Sequence, residues 1–449
     1  MTGHRRMKAV LAGWVALALL LTAMPVRAGA PEVHREVLEN GLVLQVVSRP
    51  ALPILSMELG LRAGARNDPA DRPGLANLVG TLLTYGTETR SATEISGQIE
   101  FVGGSIDTGV ERDFATVTVS VLSRDAKLGM ELLSDVVRRP AFADDEVARV
   151  RDEVVGVIAA EEDNLGRVAG KAFDRALFGD HPYARPVEGD ADSVPAIGAD
   201  QIRAFHQRYY RADNAVLSFV GDITPRQARK LTRKAFGDWA TGSGAAPDTP
   251  PASAPKGTRI HRIDRAAAQA NVVMGHLGIR RANPDFYPVV VMNYILGGGG
   301  FTSRLVDSVR DRQGLAYSIY SGFSPKTDPG EFSIRFQTRN ATAQQAIDSA
   351  LAEVRRIRTE PVTETELAEA KSYLTGSFPL RLDTNRKTAR LLTFIHMYGL
   401  GESYFSDYLE RVARVTVADV LRVARRYLHP EDMVWVVVAN PEEAQVAAP

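Results

Sequence analysis

Residues Ala199 to Gly221, ADQIRAFHQRYYRADNAVLSFVG, read as a helix ending in Arg208-Tyr209-Tyr210 followed by a strand, Ala215 to Gly221. The unit returns near the C-terminus. Ala418-Asp419-Val420-Leu421-Arg422 opens a second helix, Arg426-Tyr427-Leu428 closes it, and Met433 to Ala439 (MVWVVVA) follows as a second strand. Both strand runs are rich in the β-branched and aromatic residues that suit a pleated sheet. Further upstream, Leu59-Gly60-Leu61-Arg62 recurs as Leu277-Gly278-Ile279-Arg280 at almost the same offset. Two matches at nearly one offset indicate an internal duplication.

Working outward, Ala115 to Leu122 (ATVTVSVL) alternates with period two, and Glu331 to Thr338 (EFSIRFQT) does so in the second copy. Such alternation marks strands with unlike faces. Amphipathic helices follow both, over Lys127 to Val137 and over Ala343 to Ile357, where Ala346, Ile347, Ala350, Leu351 and Val354 share a face. The pattern predicts an α+β fold of two homologous domains, each a mainly antiparallel sheet covered by helices. Thr241 to Thr258 (TGSGAAPDTPPASAPKGT) has no apolar period and reads as a linker. The domains are then expected over 31–240 and 259–449.

At 449 residues, 45% hydrophobic and 24% charged, the chain can bury more than one core. Lysine plus arginine equals aspartate plus glutamate, so there is no cationic excess for a nucleic-acid partner. Residues 1–28 combine a basic start (Arg5, Arg6, Lys8), an apolar run from Ala9 to Met24 and the small-residue end Val26-Arg27-Ala28. That is the pattern of a cleaved signal peptide. A membrane anchor is the competing reading, but the run is shorter than the ~20 residues a spanning helix needs, and Pro25 follows it. The mature chain is expected to begin near Gly29, with no membrane span, and to be periplasmic if the source is Gram-negative. The sequence has no cysteine, hence no disulfide, thiol nucleophile or lipid-bearing cysteine.

The ordered series Leu38 to Val46 (LENGLVLQV), Gly74 to Thr87 (GLANLVGTLLTYGT), Phe178 to Tyr183 (FGDHPY), Asn214 to Asp222 (NAVLSFVGD) and Leu296 to Leu305 (LGGGGFTSRL), leading into Val309 to Tyr317, spans nearly the whole chain. In this it resembles peptidase family M16, which includes pitrilysin, insulin-degrading enzyme and the mitochondrial processing peptidase. In length it is similar to the short two-domain subunits of that family.

Catalytic members carry HxxEH on a helix: histidines one turn apart grip zinc and the glutamate acts on the metal-bound water. The resemblance lays Asn77 and Thr81 on the histidines and Gly80 on the glutamate. The third ligand of such enzymes, a glutamate on a later helix, falls at Val157, with Glu161 and Glu162 about a turn away. All metal-binding groups are missing, so no metal and no cofactor are expected on this chain, and zinc is expected in a partner. The eight histidines include no HxxEH, and the serines no GxSxG elbow. A triad assembled in space is not legible in sequence.

Asp307 to Phe323 (DSVRDRQGLAYSIYSGF) is intact by comparison. The resemblance implies that Arg310 and Tyr317 reach toward a zinc site, bind substrate backbone and stabilise the oxyanion, two donors aimed at developing negative charge. On spacing alone an arginine and a tyrosine so placed are ordinary structural residues. Arg304 and Arg312 read as solvated or structural neighbours. The Gly297 to Gly300 run lacks the GKS/T ending of a phosphate loop and reads as a helix C-terminal turn, although non-catalytic family subunits use a glycine-rich loop for substrate contact. His181-Pro182-Tyr183 is expected to shape a loop on the first domain. Asp107 stands where catalytic relatives place a substrate-contacting asparagine.

These readings converge on a non-catalytic M16 subunit. It is expected to pair with an HxxEH-bearing subunit as a heterodimer and to contribute Arg310 and Tyr317 in trans to hydrolysis of a peptide substrate. The alternative is an inactive scaffold or peptide-binding subunit of a larger assembly, resembling the core subunits of the respiratory bc1 complex. An autonomous hydrolase is a third reading.

Overall fold

The first sheet takes up the alternating runs of the first half: β1 (His34–Val37), β2 (Val43–Ser48), β3 (Ile54–Leu61), β4 (Ser105–Val110), β5 (Ala115–Leu122) and β6 (Ala215–Gly221). They lie in the order β1-β2-β6-β3-β5-β4. The second sheet has β7 (Arg259–Asp264), β8 (Gln269–Leu277), β9 (Ala316–Phe323), β10 (Glu331–Arg339) and β11 (Val434–Ala439) in the order β7-β11-β8-β10-β9. In each sheet one pair is parallel, β2 with β6 and β11 with β7, and the rest are antiparallel. Apart from β1 the two sheets have one topology, with Leu59-Gly60-Leu61 ending β3 and Leu277 ending β8. The computed structural model describes residues 31–242, 249–253 and 255–448. The proposed signal peptide and part of the linker lie outside the described residues.

The predicted helices are present, over Ala126–Arg138, Ala343–Thr359, Ala199–Tyr209 and Val417–Tyr427. The two repeat-defining helices begin alike. Thr416 and Asp419 form a reciprocal capping box, while Gly198, with no side chain to give, keeps only the return bond from its amide to Gln201. Among the described residues no helix is long and apolar enough to cross a membrane.

Each sheet is covered on one face by a helix from the other half of the chain. Asn385–Met397 packs on β3 and β6, and Leu165–Phe178 packs on β8 and β11. Gly60 makes the first approach possible, because a Cβ there would lie 2.3 Å from Thr393 Cγ2. Phe173 and Phe178 join Val273, Val434, Val436 and Val438 in a core shared by the halves. From Glu32 onward the chain is accordingly one compact unit.

The face beneath Asn385–Met397 is polar. Gln45, Ser218, Glu58, Thr118 and Asp107 are successive cross-strand partners from β2 to β4. Thr393 meets Ser218 at 3.4 Å, and Arg386 pairs with Asp107 at 2.9 Å. Burial raises the Glu58 carboxyl above the usual carboxylate range, against the hydroxyls of Thr393 and Thr118. A second polar knot centres on buried Asp113. It accepts from the Tyr183 hydroxyl, the Tyr398 hydroxyl (2.9 Å) and the Thr327 amide (3.0 Å). Arg66 stands beside it at 3.6 Å and reaches Asp328 at 2.9 Å.

Candidate functional site

The degenerate metal motif lies on the helix Leu75–Leu82. Asp68 starts that helix, its two oxygens accepting from the amides of Gly74 (2.9 Å) and Ala76 (2.8 Å). Burial pushes its carboxyl up to about 7 in spite of those donors. Asn77 and Thr81 are half-buried and Gly80 is buried. A Cβ on Gly80 would sit 2.4 Å from Cγ2 of Val110, the last residue of β4, so the valine occupies the space a glutamate side chain needs. Val157, on the helix Asp144–Glu161, is 57% exposed. Nearby Glu161 is engaged by Lys171 at 2.6 Å and by Arg167. Zinc prefers imidazole, thiolate or carboxylate donors; an amide, a hydroxyl and a valine methyl do not fit it. Among the described residues no group of three or more His, Cys, Asp or Glu side chains is placed to hold a metal ion.

The second motif is built differently from a plain helix and strand. Val306–Arg312 is π-helical, and Gly314, at φ +62°, turns the chain into β9. β9 is the edge strand of its sheet. Ile319 pairs with Phe336 and Ala316 with Thr338, leaving Tyr317 and Ser318 opposite the single residue Gln337. Such a bulge re-aims side chains, and Tyr317 is 85% exposed. The Arg310 guanidinium carbon lies 5.5 Å from the centroid of the Tyr317 ring and 4.8 Å from that of Phe301, itself 76% exposed. Its nearest carboxylate is Asp311 at 3.8 Å. The structure thus brings Arg310 and Tyr317 together and adds Phe301, which sequence reasoning missed. A large aromatic directly after four glycines was the available signal.

The glycine run serves close packing. The helix Phe286–Asn293 runs into a π-turn, Tyr294–Gly298, and a Cβ on Gly297 would meet Ser321 Oγ at 2.5 Å. Asn293 fixes the same serine, accepting from its hydroxyl at 2.9 Å. Arg304 is buried and bidentate to Glu366 (2.7 and 2.9 Å), whose carboxyl is held down to about 2, with Arg304 and the Thr363 cap outweighing burial. Arg312 is exposed and pairs with Asp307 at 2.6 Å. The His181 loop packs on the first domain as expected, with Arg185 donating to the Asp68 carbonyl at 3.1 Å, and it also reaches the second. Tyr183 packs against the second sheet and reaches Asp113, while His181 lies 3.5 Å from Asp328, so the loop joins the halves.

Residues 46–191 match the model of the insulinase family, peptidase family M16, and residues 196–374 match the one described as the peptidase M16 inactive domain. A protein of Streptomyces coelicolor described as an uncharacterized zinc protease is 30% identical over 89% of this chain and 88% of its own length. One of Mycobacterium bovis, described in the same words, is 32% identical over 90% and 92%. The chain belongs to peptidase family M16. A crystal structure described as the peptidase M16 inactive domain of Pseudomonas fluorescens superposes on this M16 chain with a TM-score of 0.87 and 29% identity, covering 93% of this chain and 99% of that one. A protease of Helicobacter pylori shares the fold, with a TM-score of 0.85 at 21% identity over 91% and 100%.

Proposed function

We propose that this M16 chain is a non-catalytic subunit that works beside a second M16 chain carrying HxxEH, and that it lends Arg310 and Tyr317 to peptide hydrolysis in trans. The partner's zinc supplies the activated water. The observation that carries the reading is the placement of the Arg310 guanidinium beside two exposed rings, Phe301 and, on a bulged edge strand, Tyr317, in a chain whose Gly80 faces Val110 where HxxEH needs a glutamate. Rings at these distances attract the cation, and no ring takes up its N–H donors. A guanidinium and a phenol preset in this way match the charge that develops on the scissile carbonyl oxygen. In this reading the chain binds no cofactor, and residues 1–28 direct it to the periplasm and are removed there.

The test begins with mild isolation and mass spectrometry to find the co-purifying chain. With the pair reconstituted, Arg310→Ala is expected to lower kcat roughly 100-fold, the scale of losing one oxyanion donor, with pairing intact. Unchanged turnover would sink the in-trans role. A stoichiometric partner that is no peptidase would favour the scaffold reading.

A further inference from the structure

A cavity of about 610 Å³ opens between the helices Phe286–Asn293 and Asn385–Met397 and the turn Phe378–Arg381, and its lining includes none of Arg310, Tyr317 and Phe301. Its wall is apolar and aromatic, and its charged members are Arg281, Arg381, Lys387 and Arg390; no carboxylate lines it. Arg281 is only 5% exposed. Its guanidinium carbon lies 3.6 Å from the Phe286 ring centroid, with the Tyr404 and Phe394 rings at 5.5 and 5.6 Å. The guanidinium donates to the Tyr404 hydroxyl at 3.1 Å.

Among the described residues no carboxylate lies within ion-pair distance of Arg281 or Arg381, while Lys387 pairs with Asp383 at 2.9 Å and Arg390 with Glu111 at 3.2 Å. An arginine has five N–H donors and keeps its charge in proteins. Burying such a charge without a counter-charge is costly. Burial lowers the Arg281 pKa, with Tyr404 and Tyr287 acting against it.

We propose that this cavity binds an organic carboxylate with an apolar body, its charge meeting Arg281 and Arg381 and its body lying against Phe286 and Phe394. The volume falls within the range of small-molecule sites, and the chemistry is that of a fatty acid or of a peptide C-terminus with an apolar last residue.

The test is calorimetric titration of the purified chain with decanoate and with N-acetyl-leucyl-phenylalanine, each beside its uncharged amide. Saturable binding of a carboxylate, with the amide at least about tenfold weaker, is expected. Decanoate alone binding assigns a lipid-derived ligand, and the peptide alone a chain terminus. Arg281→Gln should weaken binding about tenfold; should that variant not fold, exposed Arg381→Gln carries the test with a severalfold loss. The inference is overturned if neither acid saturates up to about 10 mM, if the amides bind equally, or if Arg381→Gln leaves affinity unchanged.

Discussion

Gly80, which the resemblance lays on the glutamate of HxxEH, has no room for a carboxyl. Val110 occupies the volume in which a glutamate side chain would begin. Restoring the acid by Gly80→Glu is therefore expected to destabilise the protein by about 1–3 kcal/mol, the usual result of overpacking a filled core. Thermal unfolding would show the loss, and Val110→Ala in the same chain should recover part of it; no recovery would mean that the strain lies elsewhere. That the resemblance lays no ligand at Asn77, Thr81 and Val157 and no base at Gly80 was legible, because a ligand or a base is a residue type at a spacing. Val110 was not, because nothing in its neighbourhood in the chain refers to a helix some thirty positions earlier. Phe301 and Arg281 escaped notice similarly: an exposed aromatic and an arginine gain meaning only from what folds against them.

The elements that hold the Arg310 motif are irregular. Two π-helical segments and a bulged edge strand place Arg310, Tyr317 and Phe301 on one rim. π-Segments are rare and frequent at functional sites. Sequence periodicity predicts regular strands well, as Ala115–Leu122 shows, since side-chain alternation is local. It does not predict β9, whose bulge shifts the alternation between Tyr317 and Ser318. The glycine run offers a graded test. Gly297→Ala meets Ser321 and Leu305 at under 3 Å and is expected to cost about 1–3 kcal/mol. Gly300→Ala meets nothing within 4 Å and should cost only the strain of its φ of +59°, about 1 kcal/mol. Denaturant midpoints would rank the two, and equal losses would contradict the packing role of Gly297.

At the scale of the molecule the duplication was legible, because each copy repeats its own local signals. The exchange of helices was not, because both copies could equally have covered their own sheets. Burial also shapes the response to acid. Burial lowers His206, His276 and His396 to about 4. His276 donates from Nδ1 to the Leu277 carbonyl (2.9 Å) and accepts at Nε2 from the His429 amide (3.0 Å), which suits only the neutral ring. The stability tied to such a group is fully present above its unfolded pKa of 6.5 and is lost as pH falls toward 4, since the unfolded chain takes up the proton first. Asp68 and Asp174, raised to about 7 and about 6, work in the opposite sense, so the contribution of one histidine is read by difference. His276→Gln should flatten the fall in unfolding free energy between pH 6.5 and 4 by roughly 1 kcal/mol per pH unit relative to the unaltered chain. Parallel profiles would show that His276 does not stay neutral. The crossed helices also impose an order on biosynthesis. The last strand of the first sheet, β6, emerges from the ribosome well before the helix that closes the sheet's polar face, Asn385–Met397, has been made. Until that helix is made the polar face waits open, and the first half cannot complete its native packing alone.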